Sequence, residues 1–429
     1  MSENSGLALW DKANSLIPGG NMLLSKHKNL FSPGKWPCYY SKAKGAKVWD
    51  LDGNEYIDFT HNGVGAVTLG YACEAVDTCV KQRINDASFT SLNNPQDVQL
   101  AERLVSLHPW AEMARFARSG GEANAIAIRI ARAFTGKDKV AICGYHGWHD
   151  WYLAANISDS DSLNEHLLEG LPIAGVPRCL KGSVFPIKYN CFEDLDRLAA
   201  DDEIGVLKME VTRTVPPLPN YLESIQNICK KKGIILIVDE CTSGFRQAFG
   251  GIHLNYKLEP DLCMFGKALG NGYAITAVIG KKDVMMAACD TFISSTFWTE
   301  GIGTAAALAT LDEMNRTKSW HQLPKTGMQI KNIWEEKSKI HGIPIQIEGI
   351  DALPTFNFSV TDSLASKTVF VELMLQQGIL ATTQFYPSMA HTHDLIDQYD
   401  SACDVAFKNL SSILASSTPI EDYCASGIC

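Results

Sequence analysis

A lysine flanked by apolar residues and glycines could act as a nucleophile. Lys267 lies in the segment Phe265-Gly266-Lys267-Ala268-Leu269-Gly270. Apolar surroundings lower the pKa of a lysine, so that more of it is a free amine able to attack a carbonyl carbon. The simpler interpretation is an exposed loop lysine, which is the commonest environment of this residue.

Two carboxylates follow a run of aliphatic residues in Ile234-Ile235-Leu236-Ile237-Val238-Asp239-Glu240. The run predicts a buried strand, and ligands of parallel sheets collect at the carboxyl ends of strands. Asp239 is therefore in a position to meet a bound ligand. Taken alone, the pattern favours a different role, in which the aspartate caps the next helix.

A turn of small residues, Arg118-Ser119-Gly120-Gly121-Glu122, opens a predicted helix. The free N–H groups and the dipole at such a helix start form a phosphate site. Ser119 and Glu122 also have the spacing of a capping box. The two roles are compatible, because Ser119 can cap the helix while the glycines offer N–H groups.

The segment Gly144-Tyr145-His146-Gly147-Trp148-His149-Asp150-Trp151 follows a predicted strand and is rich in aromatic side chains. An aromatic ring there can stack on a planar cofactor. A metal site is the alternative, but three ligands within five loop residues rarely converge on one ion. Together, the four segments provide N–H groups for a phosphate, an aromatic ring for stacking, a carboxylate and an amine. These groups suit a phosphorylated pyridine aldehyde.

Helices alternate with short apolar strands from about residue 70 to about residue 311, which predicts an α/β fold with a mainly parallel sheet flanked by helices. We expect a large domain over residues 63–315 and a smaller α+β domain over residues 316–429, to which residues 1–62 contribute. The predicted strands are 139–143, 205–209, 234–238, 345–347 and 355–360, with a hairpin over 46–59. The predicted helices are 95–107, 121–134 and 222–231, and after residue 360 only helices are expected.

Composition excludes several classes of protein. The net charge of -10 on 429 residues argues against nucleic-acid binding. No apolar run is long enough to span a bilayer and no signal peptide is evident, so we expect a soluble cytoplasmic protein without a membrane partner. The 13 cysteines contain no CxxC pair, which favours reduced thiols over disulfides or zinc.

Four motifs resemble those of class III PLP-dependent aminotransferases of fold type I, in the same order and with the same spacing. They are Ser119-Gly120-Gly121-Glu122-Ala123, Tyr145-His146-Gly147, Asp239-Glu240-x-x-x-Gly244-Phe245-Arg246 and Lys267-Ala268-Leu269-Gly270. Segments near residues 17–20 and 48–53 also resemble the branch that contains glutamate-semialdehyde aminomutase. The resemblance extends from about residue 16 to about residue 311 and more weakly beyond.

The resemblance implies a role for each matching residue. Lys267 would form the Schiff base with pyridoxal 5'-phosphate (PLP), and Asp239 would pair with the pyridine nitrogen. Thr296 matches a threonine that reaches the phosphate of the neighbouring subunit's cofactor, which implies a homodimer with shared sites. The implied cofactor-binding set is Ser119, Gly120, Gly121, Tyr145, His146, Glu210, Asp239, Cys241, Lys267 and Thr296.

The sequence departs from the family pattern at three places. Gly121 stands where a threonine is usual, so a side-chain hydroxyl is missing, and Cys241 stands where a valine often packs on the ring. Ser295-Thr296-Phe297-Trp298-Thr299-Glu300 replaces a Gly-Thr and Gly-Asn-Pro pattern. Trp298 and Glu300 are therefore predicted to alter the substrate pocket.

The predicted reaction is transamination between an amino donor and a small, phosphorylated or carboxylated carbonyl compound. Candidate anion-binding residues are Arg213, Lys26 and Arg246. Similar relatives in surface-polysaccharide pathways suggest an amino-sugar precursor or a phosphorylated ketone. The alternatives are an intramolecular aminomutase and a catalytically inactive PLP-fold binding protein, although the lysine and the aspartate are both present. A nucleotide-binding dehydrogenase would need a GxGxxG motif, which we do not find.

Overall fold

A computed structural model describes residues 4–166, 168–424 and 427–428 of the chain. The chain divides into two compact units. The first unit comprises the described residues up to Glu74 and those from His321 onward, and the second unit is Ala75–Trp320.

The described residues form 13 β-strands and 12 α-helices, and the strands alternate with helices through the second unit. The strands are β1 (Tyr40–Lys44), β2 (Lys47–Asp50), β3 (Glu55–Phe59), β4 (Met113–Ala117), β5 (Lys139–Cys143), β6 (Val184–Pro186), β7 (Ile204–Met209), β8 (Ile235–Glu240), β9 (Leu262–Phe265), β10 (Thr276–Gly280), β11 (Ile345–Glu348), β12 (Thr355–Phe358) and β13 (Ile379–Ala381). The α-helices are α1 (Ser5–Leu16), α2 (Glu74–Asn85), α3 (Pro95–Leu107), α4 (Gly120–Thr135), α5 (Asp150–Leu153), α6 (Phe192–Ala200), α7 (Tyr221–Lys232), α8 (Lys282–Met286), α9 (Gly301–Thr317), α10 (Ser319–His341), α11 (Ser363–Gln376) and α12 (His393–Leu414).

A seven-stranded sheet forms the centre of the second unit, with the strand order β4-β10-β9-β8-β7-β5-β6. The neighbouring strands from β9 to β6 are all parallel, and β10 runs antiparallel to both β9 and β4. The predicted α/β fold with a mainly parallel sheet is confirmed. Its buried strands are mainly apolar, as expected where both faces of a sheet are covered, and Lys208 of β7 is an exception.

Helix α4 packs on the middle of this sheet because one of its faces carries small and branched apolar side chains. Ala123, Ala127 and Ile130 are fully buried there against Ile237 and Met264 of the sheet. The left-handed Gly136 ends the helix. The start of α4 therefore lies at the carboxyl ends of the central strands, on a rigid element.

The first unit contains a four-stranded sheet in the order β1-β2-β3-β13 and a hairpin of β11 and β12. β13 pairs in parallel with β3, so the N-terminal strands and a C-terminal strand share one sheet. The expectation that only helices follow residue 360 is wrong, because β13 lies between α11 and α12. Trp334, Phe356 and Phe370 are fully buried in the core of this unit.

Candidate active site

Lys267 begins a short turn directly after β9, and its backbone is left-handed, with φ at +41°. This conformation is uncommon for a residue with a side chain and persists where the surrounding fold imposes it. The Lys267 Nζ donates a hydrogen bond of 2.7 Å to the hydroxyl of Thr242. Burial lowers the pKa of Lys267, and the nearby guanidinium of Arg213 lowers it further, against the opposing effect of the Cys241 thiol. The side chain is therefore a partly buried amine.

Asp239 lies inside β8 with its carboxylate almost fully buried. Its Oδ2 is 2.8 Å from Nδ1 of His146 and 3.4 Å from Nζ of Lys208, and its Oδ1 accepts from the Cys241 N–H at 3.0 Å. Burial alone would raise the pKa of this carboxyl, but Lys208 and His146 outweigh that effect and hold the pKa below its ordinary value. A turn follows β8 instead of a helix, so the capping interpretation of Asp239 is wrong.

The start of α4 forms the predicted capping box, and its use as a phosphate site stays a prediction. Ser119 is the N-cap, and Ser119 and Glu122 form a complete capping box. Gly120 and Gly121 are the first two residues of the helix, whose N–H groups have no partner within the helix. A Cβ added at Gly120 would lie 3.2 Å from the Cys241 Sγ, so this position leaves little room for a side chain. The arrangement offers N–H donors beside a small thiol.

The imidazole of His149 fills the place that a side chain at position 121 would need. A Cβ added at Gly121 would lie 2.5 Å from Cε1 and 2.7 Å from Nδ1 of His149, which real contacts do not reach. The buried Nδ1 of His149 has no hydrogen-bond partner in the described chain. His149 therefore occupies the space that a threonine side chain would need at position 121.

Glu210 follows β7 and connects two other predicted site residues. Its Oε2 accepts from the Tyr145 N–H at 3.1 Å, and its Oε1 pairs with Arg213. Arg213 also donates to the Thr242 hydroxyl at 3.0 Å. Thr242 therefore receives hydrogen bonds from both Arg213 and Lys267, and this shared hydroxyl brings the predicted anion-binding residue next to the predicted nucleophile.

The segment of Thr296, Trp298 and Glu300 contacts the start of α4. The Trp298 Nε1 donates to Oε1 of Glu122 at 3.1 Å. Glu300 caps α9 by accepting from the Ile302 N–H, and it lies 3.6 Å from the Arg118 guanidinium. Thr296 is exposed. These contacts give Trp298 and Glu300 defined structural partners, and their predicted effect on the substrate pocket stays a prediction.

The two other candidate cations have different environments. Arg246 is 1% exposed, and its Nε donates to the Thr242 carbonyl at 2.6 Å. Burial and nearby charges, that of Arg246 among them, lower the pKa of Lys267, and the anion-binding role of Arg246 stays a prediction. Lys26 is an exposed residue in a short turn of the first unit.

Two residues of the site, Thr242 and Lys208, are not among those predicted from the sequence. Thr242 has no distinguishing sequence signal, since its role comes from contacts between separate loops. Lys208 had a signal, because it interrupts the apolar strand Gly205-Val206-Leu207-Lys208-Met209. A lysine in the middle of a buried strand needs an opposite charge nearby, and that partner is Asp239.

These residues fit PLP by the chemistry of their donors. Lys267 offers an amine, Asp239 an anion for a pyridine nitrogen, and the start of α4 N–H groups for a phosphate. Cβ positions at Gly120 and Gly266 would both crowd the Cys241 Sγ, at 3.2 and 2.8 Å, so glycine backbone lies on both sides of that thiol. Within the part of the chain that the structure describes, no three His, Cys, Asp or Glu side chains are grouped to hold a metal ion.

The fold and the site define a PLP-dependent transferase of fold type I. The family model for aminotransferase class-III matches residues 31–414. The chain therefore belongs to the class III aminotransferases, which are PLP-dependent enzymes, and the predicted family, activity class and cofactor are confirmed.

Several known proteins are similar to this chain. A 3-aminobutyryl-CoA aminotransferase of Cloacimonas acidaminovorans (strain Evry) is 33% identical, covering 86% of this chain and 87% of the relative. A glutamate-1-semialdehyde 2,1-aminomutase of Methanosphaera stadtmanae is 30% identical, covering 94% and 98%. The FumI protein of Sphingopyxis sp. MTA144, solved in its PLP internal aldimine form, has a TM-score of 0.88 at 25% identity, covering 98% and 100%. Aminotransferases and aminomutases both occur among the relatives.

No helix in the described ranges combines the length and the apolar character that crossing a bilayer requires.

Proposed function

We propose that this chain transfers an amino group between two separate substrates, with Lys267 as the amine that bonds to the aldehyde carbon of PLP. The observation that carries the proposal is the placement of Lys267 after β9 and of Asp239 at the end of the adjacent strand β8, where Asp239 pairs in register with Met264. Ligands of parallel sheets collect at this edge. The N–H groups at the start of α4 supply the third requirement, a phosphate site.

Each side chain around the Lys267 amine has a separate role in the proposed reaction. PLP, when bound, supplies an electron-accepting ring. Once a substrate amine has displaced it, the freed Lys267 would remove a proton from the substrate carbon that bears nitrogen and hold it on Nζ, for which a lowered pKa is suited. The Thr242 hydroxyl orients the amine through the 2.7 Å hydrogen bond. Asp239 would hold an anion opposite the ring nitrogen, and the aromatic ring of Tyr145 would cover one face of the bound cofactor.

Two features support transamination over an intramolecular aminomutase reaction. The segment from Ser295 to Glu300 departs from the family pattern around Trp298, which favours a transaminase over the aminomutase. The 33% identical relative is named an aminotransferase. The aminomutase remains the second candidate, because a 30% identical relative carries that name and covers nearly the whole chain. Adding a panel of keto acids to the aminated enzyme separates the two, since only a transaminase returns to the aldehyde spectrum with an unrelated keto acid.

A substrate with a carboxylate or phosphate is supported by Arg213. Its guanidinium shares the Thr242 hydroxyl with the Lys267 amine and is paired with Glu210. A substrate anion near Lys267 would compete with Glu210 for this guanidinium. The amino acceptors that we propose include an amino-sugar precursor and a phosphorylated ketone. Arg213→Gln should raise KM for anionic substrates much more than for neutral amines.

Exposed aromatic side chains in the second unit support the proposed homodimer. Phe297 is 69% exposed and Phe292 is 82% exposed, and the Phe297 ring lies 6.3 Å from that of Phe89. Exposed clusters of this kind mark association surfaces. Thr296 lies beside Phe297, as a shared site requires. Mixing Lys267→Ala with Thr296→Ala subunits should restore activity in heterodimers if each site uses both chains.

The described cysteines, all free thiols, support a reducing cytoplasmic location. The domains proposed are residues 63–315 for cofactor binding and residues 1–62 with 316–429 for the smaller domain. Limited proteolysis with mass spectrometry would test these boundaries.

The decisive experiment is an absorbance spectrum of the purified protein and of Lys267→Ala. The wild-type protein should have a visible band that an amino donor bleaches, and Lys267→Ala should lose both the covalently bound cofactor and the reaction. Lys230→Ala is the matched control, because Lys230 is exposed in the last turn of α7. A Lys267→Ala protein that transaminates at the wild-type rate would refute the proposal.

A further inference from the structure

A fully buried lysine lies in the central sheet, and the reaction described above does not use it. Lys208 is on β7 with 0% of its side chain exposed. Its partners across the two neighbouring strands are Ile142 and Ile237. A lone ammonium among such side chains carries a heavy desolvation cost, so the fold must compensate for it.

The compensating group is Asp239. The Lys208 Nζ lies 3.4 Å from Asp239 Oδ2 and 3.1 Å from the Met264 Sδ. Because side chains alternate along strands, Lys208 and Asp239 project from the same face of the sheet. The Lys208 ammonium thus contacts the acid that stands opposite the ring nitrogen in the proposed function.

The groups around Lys208 and Asp239 differ in how burial and neighbouring charges change their pKa values. Burial lowers the pKa of Lys208, and the charge of Asp239 opposes that effect. Burial also lowers the pKa of His146, and the hydrogen bond to Asp239 opposes that effect, with His146 Nδ1 2.8 Å from Asp239 Oδ2. Glu210 also acts on His146, and the thiols of Cys241 and Cys263, whose pKa values burial raises, face the lysine as neutral groups. Lys208 and His146 are the two basic side chains that contact this carboxylate, at 3.4 Å and 2.8 Å from Oδ2.

We propose that Lys208 is a counter-ion of Asp239 that weakens the hold of this carboxylate on a proton at the ring nitrogen of PLP. The inference rests on the proposed function, in which Asp239 faces that nitrogen. A carboxylate shared with an ammonium attracts a second proton less strongly, and the ammonium also repels a positive ring directly. Lys208 is a positioning and tuning residue, since it acts through Asp239.

The test is a pH titration by ¹⁵N NMR of holoenzyme reconstituted with ring-¹⁵N PLP. In Lys208→Met the nitrogen should keep its proton to a pH about one to three units higher than in the wild type. Met264→Leu is the matched control, because it changes the other neighbour of the ammonium without removing a charge, and its titration should equal the wild type. Lys208→Gln provides a polar replacement should the methionine variant fold poorly.

The outcomes separate this inference from the function on which it rests. Equal titration of wild type and both Lys208 variants, or a wild-type nitrogen that stays protonated throughout the alkaline range, overturns the tuning role alone. A lower proton affinity in the Lys208 variants would overturn it as well, since the lysine would then support the pyridinium. A wild-type protein without a visible band overturns both proposals.

Discussion

Replacement of Gly121 by threonine, the usual residue of the family, should destabilise this protein. The new Cβ would lie 2.5 Å from Cε1 of His149, so the imidazole must move. Overpacking of this kind costs about 1–3 kcal/mol of unfolding free energy. His149 is only partly buried and can rotate outward, but it then loses its contact with the Trp148 ring, whose centroid is 4.5 Å away. Such an aromatic contact contributes about 0.5–1.5 kcal/mol.

The assay is a double-mutant cycle of urea unfolding and of PLP affinity. Gly121→Ala already introduces the Cβ and should show most of the loss, and His149→Ala gives the baseline. The combination of Gly121→Thr with His149→Ala should recover stability with a coupling of about 0.5–3 kcal/mol, because the cavity left by the imidazole accepts the threonine. Additive effects of the two changes would refute the claim that His149 occupies the side-chain space of position 121.

Three further changes test the buried polar groups. Asp239→Asn should lower the free energy of unfolding of the apo-protein by about 3–5 kcal/mol in urea titrations, because it leaves Lys208 as an uncompensated buried charge. Burial lowers the pKa of His108 to about 4. Unfolded chains take up a proton there between pH 6.5 and about 4, so His108 should lower the stability by up to about 1.4 kcal/mol for each unit that the pH falls through that window. His108→Gln should remove this contribution and leave those of the other buried histidines. Tyr399→Phe should cost about 1–3 kcal/mol in thermal unfolding, because the buried Trp334 N–H loses its 2.8 Å partner.

Elements with local signals could be predicted closely from the sequence. Helix α3 spans Pro95–Leu107 as expected, because Asn94 caps it and a proline occupies its first position. Helix α4 begins one residue earlier and ends one residue later than predicted. Caps, prolines and helical spacing are encoded within a few residues, so they require no knowledge of distant partners.

Strands that depend on distant partners could not be predicted in this way. β13 has three residues, Ile379–Ala381, and it is a strand because β3 lies beside it. β10 reverses the direction of the sheet by pairing with β9 on one side and β4 on the other. Neither segment has a turn or an alternation that distinguishes it from other short apolar runs.

The active-site residues also divide into those with a local sequence signal and those that depend on distant partners. Lys267 and Asp239 stand out because each follows an apolar run, and strand ends share one edge of the sheet. The contact of His149 with Gly121 and the double use of the Thr242 hydroxyl arise between loops that are far apart in sequence. Side-chain geometry of that kind needs the folded chain.

Each acid at the ends of β7 and β8 has a basic partner from another part of the chain or from the adjoining turn. Asp239 pairs with Lys208 and Glu210 with Arg213, and the Nδ1 of His253 lies 2.8 Å from Glu240. Buried carboxylates are costly unless they are paired, so these contacts hold the acids in place before any ligand arrives. A ligand that enters then meets fixed charges that need no rearrangement, which is the condition for electrostatic catalysis. Loss of a basic partner should therefore disturb the position of its acid, even where that partner touches no substrate.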